Sequence, residues 1–244
     1  MTQPQRDVRY GGGPAGKEPI FNMAGVVVAI VAVCLGTQLL RDYVLTARQD
    51  IELLVRAAFI PLRYSGLVPL DFYSFSSPFT YTLLHGSFMH LLVNMVWLVA
   101  FGSPLANRIG VVRFLLFFAA TGVAAAALHW AVYPDDNVPL VGASGAIAGM
   151  MGAAARFGFQ VDRSRQRPAF GGPVLPIAVV LQSRTVVMFL AIWMVVNVAT
   201  GYYGLVPGME GTIAWQAHIG GLLAGFFGIR LFDGESMGRP RFYN

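Results

Sequence analysis

The stretch Gly142-Ala143-Ser144-Gly145-Ala146-Ile147-Ala148-Gly149 places a serine at the opening of an apolar, glycine-rich segment. About seventy residues later, Ala217-His218-Ile219-Gly220-Gly221 places a histidine near the start of a second segment of the same kind. Polar and ionisable side chains inside apolar spans are costly and are functional candidates by default. Whether the two residues can meet and act together therefore depends on whether Ser144 and His218 lie at the same depth in the membrane.

The composition of the chain predicts an all-α, polytopic membrane protein. Of the 244 residues, 56% are hydrophobic and 12% are charged, and the mean hydropathy is +0.60. Soluble domains carry about 25% charged residues, whereas several runs here are long enough to cross a bilayer core of about 30 Å. The single cysteine, Cys34, excludes an internal disulfide. Basic excess without an aromatic–basic pattern points to cytoplasmic loops, so no nucleic-acid partner is expected.

The apolar segments predict six membrane spans in one domain. They cover residues 21–40, 83–102, 112–133, 140–157, 185–203 and 213–232. The polar, glycine-rich residues 1–20 predict a disordered cytoplasmic tail, 21–232 a membrane domain and 233–244 a short cytoplasmic tail. Residues 41–78 form a long outer loop that mixes apolar positions with isolated charges, which favours a segment lying in the membrane interface. A plain ordered loop is the alternative.

The distribution of basic residues predicts the orientation. An even number of spans puts both termini on one side. If that side is the cytoplasm, the outer loops hold Arg41, Arg48, Arg56 and Arg63, and the other 13 of the 17 basic residues face inward. The positive-inside rule favours this arrangement. We therefore expect a multi-pass protein with both termini cytoplasmic.

Four polar side chains are predicted to converge in the outer half of the bilayer. Ser144 lies about four residues into the fourth span and His218 about five residues into the sixth, and both spans enter from outside. At about 1.5 Å per residue, both lie roughly 6–8 Å below the outer helix ends. His90 and Asn94 on the second span share one helix face and lie at a similar or slightly greater depth if that helix begins near Ser87.

Each residue also has a simpler interpretation. A lone intramembrane serine usually bonds its own helix, and a buried histidine often only packs or binds a metal. The four histidines include no HExxH or comparable ligand set, so no metal and no cofactor are expected. The conjunction of Ser144, His218 and the His90–Asn94 face is far more specific than any one member.

Small residues repeat along the fourth and sixth spans and predict that the two helices approach closely. Such small-xxx-small patterns let membrane helices pack backbone to backbone. The fourth span has Gly142, Ser144, Gly145, Ala148, Gly149 and Gly152, and the sixth has Ala217, Gly220, Gly221, Ala224, Gly225 and Gly228.

These motifs resemble those of the rhomboid intramembrane serine proteases. His90-Leu91-Leu92-Val93-Asn94 matches H-x-x-x-N, and Trp97 follows where a tryptophan is common. Gly142-Ala143-Ser144-Gly145 matches G-x-S-G. Ala217-His218 with Gly221 and Gly225 matches A-H-x-x-G-x-x-x-G on the last span. The resemblance covers most of residues 80–232 and implies a six-helix rhomboid-like bundle in a bacterial inner (plasma) membrane.

The sequence departs from the family pattern at three sites. Ser76 and Ser77 stand where some bacterial members carry a Trp-Arg pair, and Ala106 and Asn107 precede Arg108 where an acidic residue is frequent. Ala148 stands four after the serine, where an aromatic residue often stacks on the histidine. The site is therefore expected to lack that ring at position 148.

The resemblance implies a serine-type endopeptidase that cleaves transmembrane protein substrates in or near their membrane segments. Ser144 is then the nucleophile and His218 the general base of a Ser–His dyad. His90, Asn94 and the Ser144 N–H are the expected oxyanion donors. A catalytically silent membrane-client binding protein of the same family is one alternative. A small transporter is another, but it would show two related halves, and the sequence has no such internal repeat. The oligomeric state is left open.

Overall fold

The computed structural model describes residues 23–67, 69–203 and 214–234. The predicted tail 1–20 and residues 235–244 of the predicted C-terminal tail lie outside these ranges. The α-helices are α1 (Gly25–Tyr43), α2 (Ala47–Ala57), α3 (Phe72–Thr80), α4 (Phe88–Trp97), α5 (Ser103–Ile109), α6 (Val111–Val132), α7 (Ser144–Arg156), α8 (Ile177–Gln182), α9 (Arg184–Tyr203) and α10 (Trp215–Phe232). Short 3₁₀ turns cover Pro61–Tyr64 and Tyr81–Leu83, and a π-helical turn at Leu98–Gly102 joins α4 to α5.

The protein is an all-α membrane bundle, as the composition predicted. Within the described ranges, four helical stretches are long and apolar enough to cross a membrane: α1, the continuous helix from Phe88 to Ile109, α6 and α9. A two-stranded antiparallel ribbon, β1 (Val161–Asp162) and β2 (Ala169–Phe170), lies between α7 and α8. The fourth and sixth predicted spans correspond to α7 and α10, which pack against each other and against α6.

Helix α7 is shorter than a lipid-exposed span. Its 13 residues extend only about 20 Å at 1.5 Å per residue, against a hydrocarbon core of about 30 Å. All residues after Ser144 in this helix are buried. Non-helical backbone is tolerated at membrane depth where protein rather than lipid surrounds it. A short central helix is therefore compatible with the bundle.

The start of α7 corrects the predicted fourth span. That span was expected to begin at residue 140, with Ser144 about four residues inside it, but the helix begins at Ser144. Leu140 is extended and pairs with Phe59 through two backbone hydrogen bonds of 2.8 and 3.2 Å. Gly142 then turns the chain with φ +122°, a conformation that side-chain-bearing residues rarely adopt. The extended entry and this turn prevent an earlier helix start.

The predicted close approach of α7 and α10 is confirmed. A Cβ placed on Gly221 would collide with the carbonyl oxygen of Gly145, and one on Gly225 would collide with that of Gly149. The two backbones are therefore in direct contact along one seam. This seam brings the first turns of α7 and α10 together.

The outer loop is held together by side chains that contact its own backbone. Arg63 donates to the carbonyl oxygens of Val55 and Tyr73 and lies 3.4 Å from the hydroxyl of Ser77. At the start of α3, the Asp71 carboxylate accepts from the backbone N–H of Ser74 at 2.8 Å, which lowers the pKa of that carboxyl. The loop is thus ordered with Ser76 and Ser77 at the positions where the resemblance implied a Trp-Arg pair, and its place at the membrane interface stays a prediction.

A buried ion pair lies at the C-terminal end of α10. Arg108 on α5 and Asp233, which follows α10, are 2.9 Å apart, with side-chain exposures of 1% and 0%. Arg108 also donates to the carbonyl oxygen of Phe170 on β2 and lies over the Phe157 ring. The C-terminal end of α10 is therefore anchored to α5 and β2.

Candidate active site

Ser144 and His218 are in hydrogen-bond contact. The distance from the Ser144 Oγ to the His218 Nε2 is 2.7 Å. This is the range required for proton transfer between a nucleophile and its base. The sequence predicted this meeting from the depth of the two residues, and the geometry agrees although the helix starts differ by a few residues from those predicted.

The position of Ser144 follows from the turn before α7. Gly142 donates its N–H to the carbonyl oxygen of Tyr81 at 3.0 Å, which ties the turn to the segment before α4. Ser144 is then the first residue of α7. The first N–H groups of a helix have no intrahelical acceptor, and the helix dipole makes this end positive. The serine side chain therefore lies beside donors suited to a developing negative charge.

The other ring nitrogen of His218, Nδ1, is hydrogen-bonded to the side chain of Asn197. The distance from His218 Nδ1 to Asn197 Oδ1 is 2.5 Å, and the Asn197 amide nitrogen donates to the carbonyl oxygen of Trp215 at 3.2 Å. Asn197 is only 6% exposed and lies on α9. The sequence reasoning missed this residue. The available signal was a lone amide in the middle of the apolar fifth span.

His90 lies against the turn that precedes Ser144. A Cβ on Gly142 would come within 2.8 Å of the His90 ring, at both Cε1 and Nε2. The backbone N–H of Gly86 donates to the His90 Nδ1 at 3.3 Å. Because Nδ1 accepts, a neutral ring carries its proton on Nε2. That nitrogen is therefore a donor on the Gly142 side of the site.

Asn94 is buried on the same helix, four residues after His90. Its side-chain amide donates to the carbonyl oxygen of His90 at 2.9 Å, and the residue is 4% exposed. Ser87 caps this helix by accepting from the backbone N–H of His90 at 3.1 Å. The helix start near Ser87, on which the predicted depth of these two residues depended, is confirmed.

All four predicted site residues line one cavity. Its volume is about 1040 Å³, and it lies between α4, α7, α9 and α10. Ser144 and His218 are half-buried, and the lining includes Trp97, Met151 and Trp193 among its large apolar side chains. The cavity therefore offers apolar walls around a small group of polar atoms, which is typical of ligand-binding and catalytic sites.

An aromatic ring from another helix lies near His218. Ala148, where the sequence predicted that the site lacks an aromatic ring, is 1% exposed and lines the cavity. The ring centroids of Trp193 and His218 are 6.3 Å apart, with the planes inclined by 43°. Trp193 lies on α9, four residues before Asn197. The same helix thus contributes both a polar and an aromatic neighbour to the histidine, which the motifs alone did not indicate.

Comparison with known proteins assigns the chain to a family. A family model described as Rhomboid domain matches residues 73–232, which is more than half of the chain, so the protein belongs to the rhomboid family. This range includes Ser144, His218, His90 and Asn94.

The curated relatives are distant, and the similarity covers only part of each. The chain is 27% identical to "RHOMBOID-like protein 5" of Arabidopsis thaliana over 59% of its length and 40% of the relative. It is 30% identical to "RHOMBOID-like protein 4" of the same plant, over 59% of the chain and 30% of the relative. It is 41% identical to the Bacillus subtilis protein named "Putative rhomboid protease YdcA", over 29% of the chain and 35% of the relative. The chain therefore aligns with less than half of the length of each. Because these relatives come from a plant and a bacterium, the location of this protein in a bacterial inner membrane stays a prediction.

Proposed function

We propose that the protein is an intramembrane serine endopeptidase that hydrolyses peptide bonds in or near transmembrane segments of other membrane proteins. The observation that carries this proposal is the 2.7 Å contact between Ser144 Oγ and His218 Nε2. Family membership supports it. The substrates are transmembrane proteins, and the bilayer is the medium in which the protein meets them.

In the first step, His218 Nε2 takes the proton of the Ser144 hydroxyl as Oγ attacks the scissile carbonyl carbon. The carbonyl π electrons move to oxygen, which gives a tetrahedral oxyanion. Collapse of this intermediate breaks the C–N bond, and the protonated His218 gives its proton to the leaving amine. Ser144 then carries the acyl group. Attack by water, with His218 again as base, releases the acid and restores the serine.

The donors around Ser144 are suited to the oxyanion. The Ser144 N–H lies at the positive end of α7, and the His90 Nε2–H lies beside the same turn. The Asn94 amide is bonded to the His90 carbonyl oxygen in the free protein, so it has to rotate to donate to the substrate. Each such donor contributes roughly 10²–10³ in rate.

A substrate has to be extended at the bond that is cut. Carbonyl groups in a helix are already hydrogen-bonded within the helix, so a transmembrane helix must unwind before Ser144 can attack it. Segments with small or helix-breaking residues unwind most easily. Such segments are therefore the expected cleavage sites.

We also propose that both termini are cytoplasmic and that the site opens toward the outer face. Thirteen of 17 basic residues lie on the proposed inner side. The first turns of α7 and α10, where Ser144 and His218 lie, then face outward. Water enters from that side to complete the hydrolysis.

The test uses the purified full chain in detergent. Wild type should react with a fluorophosphonate probe and cleave a single-span reporter, and Ser144→Ala should do neither. Ser103→Ala is the matched control, because Ser103 is also a buried serine but lies on α5. It should keep both activities. Labelling and cleavage that persist in Ser144→Ala would mean that another residue is the nucleophile. The absence of both in wild type would favour the silent client-binding protein.

A further inference from the structure

We propose that Asn197 is a positioning residue that selects the tautomer of His218, so that the site works as a Ser–His–Asn triad rather than a dyad. This inference rests on the proposed protease function. Its physical basis is a chain of three hydrogen bonds. The chain joins the Trp215 carbonyl oxygen to the Asn197 side chain, Asn197 to His218, and His218 to Ser144.

The orientation of the Asn197 amide is fixed at its far end. A carbonyl oxygen only accepts hydrogen bonds. The atom of Asn197 that faces the Trp215 carbonyl oxygen, at 3.2 Å, must therefore be the NH₂ nitrogen. The opposite orientation would place two oxygens against each other. The amide oxygen of Asn197 consequently faces His218.

That orientation determines where the His218 proton lies. The amide oxygen accepts only, so the ring nitrogen that contacts it at 2.5 Å, Nδ1, has to carry the hydrogen. In the neutral ring, Nε2 is then unprotonated and accepts from the Ser144 hydroxyl. This is the tautomer that a general base needs. Asn197 therefore prepares His218 before any substrate arrives.

A simpler role for Asn197 is to join α9 to α10. Interhelical hydrogen bonds from asparagine stabilise membrane bundles, and the bond to Trp215 has this form. The two roles use different atoms of the side chain. Joining the helices depends on the donated N–H, whereas tautomer selection depends on the accepting oxygen. A substitution that keeps only one of these atoms separates them.

Two variants and a control make this separation. Asn197→Leu removes both donor and acceptor at similar size, and Asn197→Asp keeps an acceptor for Nδ1–H but loses the N–H donated to Trp215. Val195→Ala is the control, because Val195 lies on the same helix and is 68% exposed. We expect Asn197→Leu to lower kcat on the order of 10- to 100-fold with an unchanged KM. Asn197→Asp should lie between Asn197→Leu and wild type, and Val195→Ala should match wild type.

The helix-joining role predicts a different ranking. If it were the whole role, Asn197→Asp would be as impaired as Asn197→Leu or more so, because a carboxylate would face the Trp215 carbonyl oxygen. Its melting temperature would fall in parallel with its activity. That ranking, or full activity in Asn197→Leu, overturns the proposal.

The tautomer itself is measured by ¹⁵N NMR of histidine-labelled protein at neutral pH, with the His218 signals assigned by their loss in His218→Gln. Wild type should show a protonated Nδ1 and an unprotonated Nε2. Asn197→Leu should show a mixture of tautomers. A protonated Nε2 in wild type overturns the proposal whether or not any variant folds. If wild type shows the expected tautomer but cleaves nothing, the protease function fails and the role of Asn197 in setting the tautomer stands.

Discussion

The Ser144 hydroxyl lies 2.7 Å from the His218 Nε2 although 74 residues separate the two positions in the chain. Their helices touch backbone to backbone, because Gly221 and Gly225 of α10 lie against the carbonyl oxygens of Gly145 and Gly149 on α7. A side chain in place of either α10 glycine would push the helices apart. The contact between nucleophile and base therefore depends on glycines that take no part in the chemistry.

The close packing of α7 and α10 at these glycines leads to a prediction about thermal stability. Gly225→Ala should lower the melting temperature in detergent, because its methyl group would collide with the Gly149 carbonyl oxygen. Overpacking of this kind typically costs about 1–3 kcal/mol, which corresponds to a fall of roughly 2–12 °C for a chain of this size. Gly228→Ala is the matched control on the same helix, since a Cβ there meets no described atom within 4 Å. Equal melting temperatures for the two variants would contradict the seam.

Loss of the base should be nearly as severe as loss of the nucleophile. In His218→Ala the serine hydroxyl keeps its proton, and a neutral hydroxyl is a weak nucleophile. Reporter cleavage should fall to the level of Ser144→Ala, and the double variant should be no worse, because the two residues act as one unit. Steady-state cleavage rates of the three variants test this. Substantial residual cleavage in His218→Ala would mean that another group takes the proton.

His90 and Asn94 should each contribute part of the transition-state stabilisation. Asn94→Ala and His90→Ala remove one donor each while the Ser144 N–H remains, so each should lower kcat on the order of 10²-fold. If both donors act on one oxyanion, the double variant should lose less than the product of the single losses. Purified variants assayed against one single-span reporter give these ratios. An unchanged kcat in Asn94→Ala would mean that its amide stays bonded to the His90 carbonyl oxygen during the reaction.

The turn at Gly142 should be intolerant of a side chain for two reasons that a control can separate. Gly142→Ala forces a left-handed φ on alanine and also pushes a methyl group against the His90 ring. Gly66→Ala meets only the first problem, since Gly66 has φ +83° and a Cβ there meets no described atom within 4 Å. We expect Gly142→Ala to lose on the order of 10- to 100-fold in kcat through His90, and Gly66→Ala to keep its activity. Similar losses in both would indicate backbone strain alone.

Much of the site was predictable because its members carry local signals. A serine after a glycine turn, a histidine before a glycine seam and an H-x-x-x-N face are each visible in one segment. The all-α bundle was predictable from hydropathy for the same reason. The start of α7 was not, because the extended pairing of Leu140 with Phe59 joins segments about 80 residues apart. Asn197 and Trp193 were missed since their importance depends on which face of α9 meets α10.

The aromatic neighbour of His218 gives a last prediction, which concerns Trp193 and Ala148. Trp193→Ala should lower kcat on the order of tenfold, because the His218 ring loses an aromatic neighbour that restricts its orientation. Ala148→Phe alone should also lower kcat, because the new ring competes with Trp193 for space in the same cavity.

With Trp193 removed, the ring introduced at position 148 has room to pack on the histidine. The double variant Trp193→Ala/Ala148→Phe should therefore be more active than Trp193→Ala, which is a coupling that independent sites do not show. The four kcat values form a double-mutant cycle, and melting temperatures of the same proteins exclude unfolding as the cause. If the two losses multiply in the double variant, the two positions do not share the space beside His218, and Asn197 is then the main contribution of α9 to holding the histidine.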